Sequence, residues 1–438
     1  MTWGVVVRRF SFLLLLAGVA WIAGCGGGGS TQAKSTTTTT TTSSGSNVMA
    51  ISVDGGPTAT NGSIYENAAF ATVTVCVPGS TSNCTTINNL LVDTGSVGLR
   101  VFQSAVSSLG LPAVKASNGV AADNCVTFVD GTYLWGPVEQ ADVEMGGETA
   151  KSVPIQVISS SNTGVPTACS NGGSTNENTV ALLGANGILG VGTEPTDCYY
   201  DGGSACSPTS GLSSPPPLYF TCSGSKCSLA TVTVANQVTN PVALLPTDNN
   251  GVIVELPAVT GSEATVNGSL VFGIGTESNN QLSSSATVFT ETCEEFTTDF
   301  KGTSYEPGSS CSGAGSFIDS GSNGYFFPDT SIPTCPKKTT VGDLSSWYCP
   351  SSTESLTATN SGANGSSKTT NFSVANAETL FTSASTDSDA AMSQLAGANP
   401  SGYGFDWGLP FFYGVHVYNA IDGQEMPSGT PAGPWWAY

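Results

Sequence analysis

The same four-residue pattern, an Asp followed by a hydroxyl residue, a Gly and a Ser, occurs once in each half of the chain. Residues 90–96 read LLVDTGS and residues 316–322 read SFIDSGS, so each Asp ends an apolar run. In both places a second apolar run follows, at 97–102 and at 323–327. The duplication predicts two similar halves, in each of which a buried strand delivers an Asp into a sharp turn.

This pattern is suited to holding a reactive carboxylate. Glycine lets the backbone turn sharply and bring its N–H to the carboxylate, and hydroxyl side chains add further donors. Two such loops facing each other would place Asp93 and Asp319 so close that one keeps a proton while the other activates water. General-acid, general-base hydrolysis of an amide requires such a pair. We predict Asp93 as the base and Asp319 as its protonated partner, with a proton that belongs to the pair. The predicted orienting residues are Thr94, Gly95, Ser96, Ser320, Gly321 and Ser322.

Short apolar runs separated by Gly, Asn and Ser fill most of the chain, which is typical of an all-β protein. Residues 70–77 (FATVTVCV) alternate between the two faces of a strand. Short helices are predicted at 102–110 and 376–382. Two segments, 199–228 and 336–400, are predicted to be surface loops, and the second could narrow or cover a cleft. Further strands are predicted at 89–93, 152–158, 231–235, 251–256 and 268–275.

The two Asp motifs resemble the paired signatures of bilobal, pepsin-like aspartic proteases. Each lobe of that family also carries an apolar-apolar-Gly segment that crosses behind its Asp loop. Segments similar to these crossing segments and to other strands of the family are 186–192 (NGILGVG), 268–273 (GSLVFG), 407–412 (WGLPFF) and 417–422 (VYNAID).

That resemblance covers most of residues 65–425 and implies an all-β, bilobal double barrel with a cleft between the lobes. The lobes would be residues 48–245 and 246–438. The implied activity is that of an endopeptidase that takes a peptide or protein substrate without a cofactor or a metal, and we expect a monomer. The whole chain also resembles an uncharacterised family of bacterial lipoproteins, which implies no activity.

The chain departs from the protease pattern in two places. The hairpin that should cover the cleft has its tip at Asp130-Gly131, with Tyr133 and Trp135 either as aromatic residues of a lid or packed on a strand face. In the second crossing segment Asp406 precedes Trp407-Gly408, where two apolar residues are expected. An inactive binding lipoprotein with the same fold is therefore the alternative function. A structural all-β surface protein with accidental motifs is a third.

The N-terminus predicts export and lipid anchoring. Residues 1–25 place Arg8 and Arg9 before a short apolar run that ends in Ile-Ala-Gly-Cys, similar to a bacterial lipobox with Cys25 as the lipidated residue. An ordinary secretory signal is the alternative. Residues 26–47 offer no large apolar side chain to bury and predict a disordered tether. The expected location is the bacterial cell envelope, with the outer membrane favoured because Gly26 follows the cysteine, and the folded part facing the periplasm or the cell surface.

The cysteine count fits an oxidising compartment. Of 13 cysteines, Cys25 would carry the lipid, which leaves an even number for disulfides. Pairing of neighbours along the chain predicts Cys76–Cys84, Cys125–Cys169, Cys198–Cys206, Cys222–Cys227, Cys293–Cys311 and Cys335–Cys349.

Charge and histidine content narrow the function further. The chain has 32 acidic and 11 basic side chains and a net charge of −21, so it would be repelled by the phosphates of nucleic acids. His416 is the only histidine, which excludes sites built from several histidines. We expect His416 to be an ordinary strand residue, because no partner motif accompanies it.

Overall fold

The computed structural model describes residues 46–57, 64–162, 164–170, 173–198, 218–308, 313–399 and 404–438. The predicted signal peptide, Cys25 and nearly all of the tether lie outside the described residues. Within the described ranges, no helix combines the length and the apolar character needed to span a bilayer.

Strands dominate the described residues, as the all-β prediction required, and that prediction is confirmed. Up to residue 245 the strands are β1 (Val48–Val53), β2 (Phe70–Cys76), β3 (Cys84–Asp93), β4 (Val97–Phe102), β5 (Asp123–Thr127), β6 (Tyr133–Met145), β7 (Glu148–Ile158), β8 (Gly187–Val191), β9 (Leu218–Ser223) and β10 (Lys226–Leu229). Beyond it they are β11 (Gly251–Glu255), β12 (Ser262–Glu263), β13 (Val266–Phe272), β14 (Val288–Thr290), β15 (Thr297–Phe300), β16 (Thr303–Tyr305), β17 (Phe317–Ile318), β18 (Tyr325–Phe327), β19 (Glu354–Ser361), β20 (Ser367–Val374), β21 (Ala391–Met392), β22 (Ala396–Ala398), β23 (Asp406–Trp407), β24 (His416–Ala420) and β25 (Trp435–Ala437).

The helices are short. They are α1 (Gln103–Val106), α2 (Thr167–Ser170), α3 (Val180–Leu183) and α4 (Ala377–Asp387), with 3-10 turns at Val234–Asn236, Pro241–Leu244 and Leu409–Phe412. The first and last of the α-helices fall where the sequence predicted helix. Asn376 caps α4 by accepting a hydrogen bond from the backbone N–H of Thr379, as the side chains of good N-cap residues do.

Six strands of the N-terminal half form a closed ring. Their order is β6-β7-β4-β8-β3-β2, and a further pairing of β2 with β6 completes the circle. The alternation predicted for residues 70–77 is observed: Val73 and Val75 are buried, while Thr72 is exposed. The ring therefore encloses an aliphatic core, and it fixes the end of β3, where the first Asp loop begins.

The two halves share one continuous sheet. Strand β1 pairs along its whole length with β13, from Val48↔Val271 to Val53↔Val266, and the sheet continues through β11, β24, β25 and β14. The predicted lobe boundary between residues 245 and 246 thus lies between strands that belong to one sheet. The C-terminal half adds a four-stranded sheet, β17-β23-β18-β22, that carries the second Asp loop.

Three predictions from sequence are wrong, wholly or in part. Residues 336–400 are not a surface loop: they supply the β19–β20 hairpin, α4 and the short strands β21 and β22, and they bury Leu356, Phe372 and Leu380. Alternation was present there, but Ser, Thr and Asn on the exposed face concealed it. The strand predicted at 231–235 is replaced in part by the 3-10 turn at Val234–Asn236. The other predicted loop is also partly ordered, since β9 and β10 form a hairpin at its end.

Four of the predicted disulfides are present, and those pairings are confirmed. They are Cys76–Cys84, Cys125–Cys169, Cys222–Cys227 and Cys335–Cys349. Cys198 and Cys293 are also disulfide-bonded, and their predicted partners, Cys206 and Cys311, lie outside the described residues.

Candidate active site

The first Asp loop begins where β3 ends at Asp93. Strand β8 lies parallel to β3, with Val92 opposite Leu189 and Asp93 opposite Gly190, and it is antiparallel to β4 on its other side. A Cβ on Gly190 would stand 2.8 Å from the backbone nitrogen of Val97, so only glycine allows β8 to cross this closely behind the loop. The predicted role of the segment 186–192 is thus observed.

The second Asp loop has the same construction. Strand β17 lies parallel to β23, with Ile318 opposite Trp407, and the backbone N–H of Asp319 donates to the carbonyl of Trp407 at 3.1 Å. Gly408 follows, and a Cβ on it would collide with the carbonyl oxygen of Gly324. Both halves therefore place an Asp at the end of a buried strand, in front of a crossing segment.

Each carboxylate is held by the donors of its own loop. The backbone N–H of Gly95 donates to Asp93 Oδ1 at 2.9 Å, and the Ser96 hydroxyl donates to Oδ2 at 2.5 Å. In the second loop the N–H of Gly321 donates to Asp319 Oδ1 at 2.7 Å, and the Ser322 hydroxyl lies 2.8 Å from Oδ2. Gly95, Ser96, Gly321 and Ser322 thus each contact the carboxyl group of their own loop, and their role in orienting it for catalysis stays a prediction.

Thr94 and Ser320 do something different from what the sequence predicted. Their hydroxyls do not donate to the carboxylates; they cross to the opposite loop. Thr94 Oγ1 donates to the carbonyl of Ile318 at 3.1 Å and accepts from the N–H of Ser320 at 2.9 Å. Ser320 Oγ donates to the carbonyl of Val92 at 2.7 Å and accepts from the N–H of Thr94 at 3.1 Å. This reciprocal exchange holds the two loops face to face, as the paired motifs predicted.

The two carboxyl groups are in direct contact. Each packs on the glycine of the other loop: a Cβ on Gly95 would stand 2.5 Å from Asp319 Cγ, and one on Gly321 would stand 2.7 Å from Asp93 Cγ. A hydrogen bond joins the two side chains, and Asp93 and Asp319 are only 5% and 8% exposed. Burial, and then the neighbouring charge of Asp319, raise the pKa of Asp93 well above its usual value.

Each carboxyl group has one glycine N–H and one serine hydroxyl from its own loop, so these contacts do not distinguish which of the two holds the shared proton. The sequence-based assignment, with Asp93 as the base, stays a prediction. Because the pair shares one proton, the assignment concerns which of the two carries it before water attacks.

A third carboxyl group, Asp406, reaches the same site. Its Oδ2 lies 2.6 Å from the Ser322 hydroxyl, which also contacts Asp319. Asp406 is 5% exposed, and burial, followed by the charges of Asp319 and Asp93, raises its pKa well above the usual value. Sequence reasoning recorded Asp406 as a departure from the family pattern but gave it no role. Its register was the signal that could have identified it. Asp406 pairs with Phe317, two residues before Asp319, and Ile188 pairs with Leu91, two residues before Asp93.

The predicted flap is a hairpin between β5 and β6. At its tip, Asp130 accepts hydrogen bonds from the N–H and the hydroxyl of Thr132, both at 2.8 Å, and Gly131 has a φ of +83°, a conformation that favours glycine. The aromatic rings point inward. Tyr133 and Trp135 pack with Phe220 and the Cys125–Cys169 disulfide, and Trp135 meets Phe220 edge to face at 5.4 Å. For these two residues the structure fits strand-face packing, and the role of Asp130 and Gly131 in a flap stays a prediction.

The single histidine lies away from this chemistry. His416 begins β24 opposite Glu255. Its side chain is exposed, and its Nδ1 lies 3.4 Å from Glu255 Oε1. Across the described part of the chain, no group of three or more His, Cys, Asp or Glu side chains is arranged to hold a metal ion.

Comparison with known proteins gives a fold-level neighbour and a family. Among solved structures, the chain is similar to an aspartic proteinase from Irpex lacteus, with a TM-score of 0.42 and 17% sequence identity over 85% of this chain and 93% of that one. A search of curated proteins finds no match. The model of a family described as "Protein of unknown function (DUF3443)" matches residues 43–438, and the chain therefore belongs to this family.

Proposed function

We propose that the protein is an aspartic endopeptidase that cleaves peptide bonds with water activated by Asp93 and Asp319. The observation that carries this proposal is the contact between two buried carboxyl groups, each oriented by a glycine N–H and a serine hydroxyl. Burying two carboxyls against each other is costly, and the crossed bonds of Thr94 and Ser320 hold them there. Such an arrangement supplies an acid and a base on one water molecule.

In the proposed reaction Asp93 begins with the proton and Asp319 begins ionised. As the water oxygen bonds to the scissile carbonyl carbon, a water proton passes to Asp319 and Asp93 gives its proton to the carbonyl oxygen. When the C–N bond breaks, Asp319 gives its proton to the leaving nitrogen and one hydroxyl of the diol returns a proton to Asp93. The pair ends as it began, and the fixed N–H and hydroxyl donors need no rearrangement during the cycle.

We also propose that the enzyme is exported and anchored to the envelope by a lipid on Cys25, with the outer membrane favoured. The lipobox-like sequence before Cys25 and the Ser/Thr-rich tether support this. The disulfides among the described residues fit an oxidising compartment. The substrate would be a peptide or protein that reaches the cleft from that compartment.

The test is cleavage of an unfolded protein by the purified protein over an acidic-to-neutral pH series. Asp93→Asn and Asp319→Asn should each lower kcat/KM by about 10²- to 10⁴-fold, the value of a positioned acid or base. Asp299→Asn, a matched change at an exposed position on β15, should leave the rate unchanged. A transition-state mimic of aspartic proteases should inhibit the unmodified protein.

Cleavage that persists in both Asp→Asn variants would overturn the proposal. So would the lack of cleavage at every pH from protein that is folded by circular dichroism. That second result would favour the binding lipoprotein, and retained binding of the transition-state mimic would then show that the cleft still takes an extended ligand.

A further inference from the structure

We propose that Asp406 is a positioning residue: it keeps a proton, donates it to Ser322, and thereby commits the Ser322 hydroxyl to Asp319 as the ionised member of the pair. This inference rests on the proposed function and deepens it, since it assigns the source of the asymmetry between the two catalytic carboxyls.

Ser322 contacts two carboxyl groups with a single hydroxyl. Its Oγ lies 2.8 Å from Asp319 Oδ2 and 2.6 Å from Asp406 Oδ2. A hydroxyl has one proton to donate, so only one of these short contacts can be a donation from Ser322. The other must be a donation from a carboxylic acid. Two ionised carboxylates would compete for a single proton and would repel each other in a buried site.

The other contacts of Asp319 and Asp406 indicate which of these two carboxyl groups carries the proton. Asp319 accepts a hydrogen bond from the N–H of Gly321, so this backbone donor already stabilises a negative charge on Asp319. Asp406 Oδ1 is buried and has no hydrogen-bond partner among the described residues. An ionised Asp406 would therefore leave a buried charged oxygen unpaired, whereas a protonated Asp406 uses one oxygen as a donor and leaves only a neutral carbonyl oxygen unpaired. The hydrogen bonds thus run from Asp406 to Ser322 and from Ser322 to Asp319.

The first Asp loop has no counterpart of Asp406. Ile188 occupies the register position of Asp406, and the Ser96 hydroxyl contacts one carboxyl group, Asp93. Asp319 therefore receives a hydroxyl that is itself polarised by an acid, while Asp93 receives an ordinary one. The stronger donor stabilises negative charge on Asp319, which places the shared proton on Asp93.

The arrangement has a consequence for pH. The charged groups that act on Asp406 from the elements packed around it are Asp319 and Asp93, both of which oppose its ionisation. When Asp406 does lose its proton at higher pH, a second negative charge enters the site beside that of Asp319 and competes with it for the Ser322 hydroxyl. Loss of activity toward higher pH therefore includes the ionisation of Asp406.

The experiment compares Asp406→Asn with Asp406→Leu. Asparagine keeps a donor for Ser322 and cannot ionise, so kcat/KM should stay within about three-fold of the unmodified protein at its optimum and should fall less as the pH is raised. Leucine is similar to the Ile188 of the other loop but donates nothing, so kcat/KM should fall about ten-fold, the value of one hydrogen bond. A purely structural role predicts the reverse order, because leucine packs better than asparagine in a buried strand. Leucine equal to or better than asparagine at every pH would overturn the inference.

A second measurement does not depend on activity. Because the folded state holds the Asp406 proton above the usual carboxyl pKa of 3.8, its contribution to stability should be present at acid pH and be lost as the pH rises. Denaturation of the full chain across the pH series should show that the unmodified protein loses stability relative to Asp406→Asn as the pH rises. An inactive unmodified protein would defeat the proposed function, and this measurement would still decide whether Asp406 holds a proton. Equal pH dependence of the two proteins would overturn the inference.

Discussion

The two Asp loops have the same backbone arrangement, but the segments that cross behind them carry different side chains. In the N-terminal half the Asp93 loop is backed by Ile188, Leu189 and Gly190, and in the C-terminal half the Asp319 loop is backed by Asp406-Trp407-Gly408 in the same register. The glycine, which the close crossing requires, is kept in both. The first position is apolar in one half and a carboxyl in the other. The duplicated backbone therefore sets where the two Asp side chains lie, while the unmatched residue behind it sets how they share a proton.

A second difference lies one strand further out. Arg100 stands opposite Ile188 in the first half, and Phe326 stands opposite Asp406 in the second. Arg100 is fully buried, donates to Asn124 and Gln156, and pairs with Asp197 at 3.2 Å. The second half instead packs rings, with Trp407 stacked on Phe405 at 4.9 Å between centroids and meeting Phe372 at 5.3 Å. One loop is supported by a polar network and the other by an aromatic core.

The largest expected effect tests what the loops share. Gly95→Ala and Gly321→Ala each place a Cβ against the carboxyl group of the opposite loop, at 2.5 and 2.7 Å from its carbon. Relief of that contact must separate the carboxyls, so kcat/KM should fall at least about 10²-fold in both variants, as for other small misplacements of catalytic groups. Kinetics with an unfolded protein substrate and thermal denaturation of the same samples provide the measurement.

The two variants are controls for each other. If the loops are equivalent in geometry, the losses should be of similar size. A large loss in one variant with normal activity in the other would show that only one carboxyl depends on the contact. Full activity in both would show that the site is more open than the structure describes.

The next effect concerns what the loops do not share. Arg100→Met removes the cation from the buried network and leaves the buried Asp197 carboxylate without a neighbouring positive charge, so the free energy of unfolding should fall by about 3–5 kcal/mol. Lys151→Met is the matched control, because the Lys151 side chain is 64% exposed and its bond to Asp142 should contribute only about 0–1 kcal/mol. Urea denaturation of both variants checks the difference. Equal losses would mean that the polar network does not stabilise the first half beyond an ordinary surface pair.

The parts of the site that could be predicted from sequence are those fixed by local chemistry. Asp, Gly and Ser at set spacing after an apolar strand identified Asp93, Asp319 and the donors within each loop. The crossed bonds of Thr94 and Ser320 were missed, because a hydroxyl next to a carboxylate does not show which loop it bonds to. Asp406 was noticed but not placed, since its contact with Ser322 exists only when β23 lies beside β17.

The same limit applies to the fold. Alternation gave the strands with large aliphatic residues, such as β2 and β13, but it failed in the β19–β20 hairpin. There the outward face is almost entirely Ser, Thr and Asn, a composition that elsewhere in the chain predicts a tether. Burial of Phe372 against Trp407 makes this hairpin part of the core, and no local feature of the sequence predicts that contact.

The smallest expected effect tests a second place where carboxyl groups of the two halves act on each other. Glu194 follows β8, and burial, then the charges of Glu294 and Asp422 from the other half, raise its pKa to about 8. Burial, then the charge of Glu295, raise the pKa of Glu294 to about 7. The folded protein therefore binds more protons than the unfolded chain between the usual Glu value of 4.5 and these values, and stability should fall as the pH rises through that window.

Glu194→Gln should flatten this fall, because the amide cannot ionise at the contact between the halves. Glu144→Gln, an exposed change on β6, should leave the fall as it is. Asp142 and Asp329, whose pKa values are lowered by their backbone and lysine partners, contribute stability that is lost only below the usual Asp value of 3.8 and so do not offset the fall above it. Denaturation midpoints from acid to mildly alkaline pH give the slope. An unchanged slope in Glu194→Gln would show that the pH sensitivity of stability does not arise at Glu194.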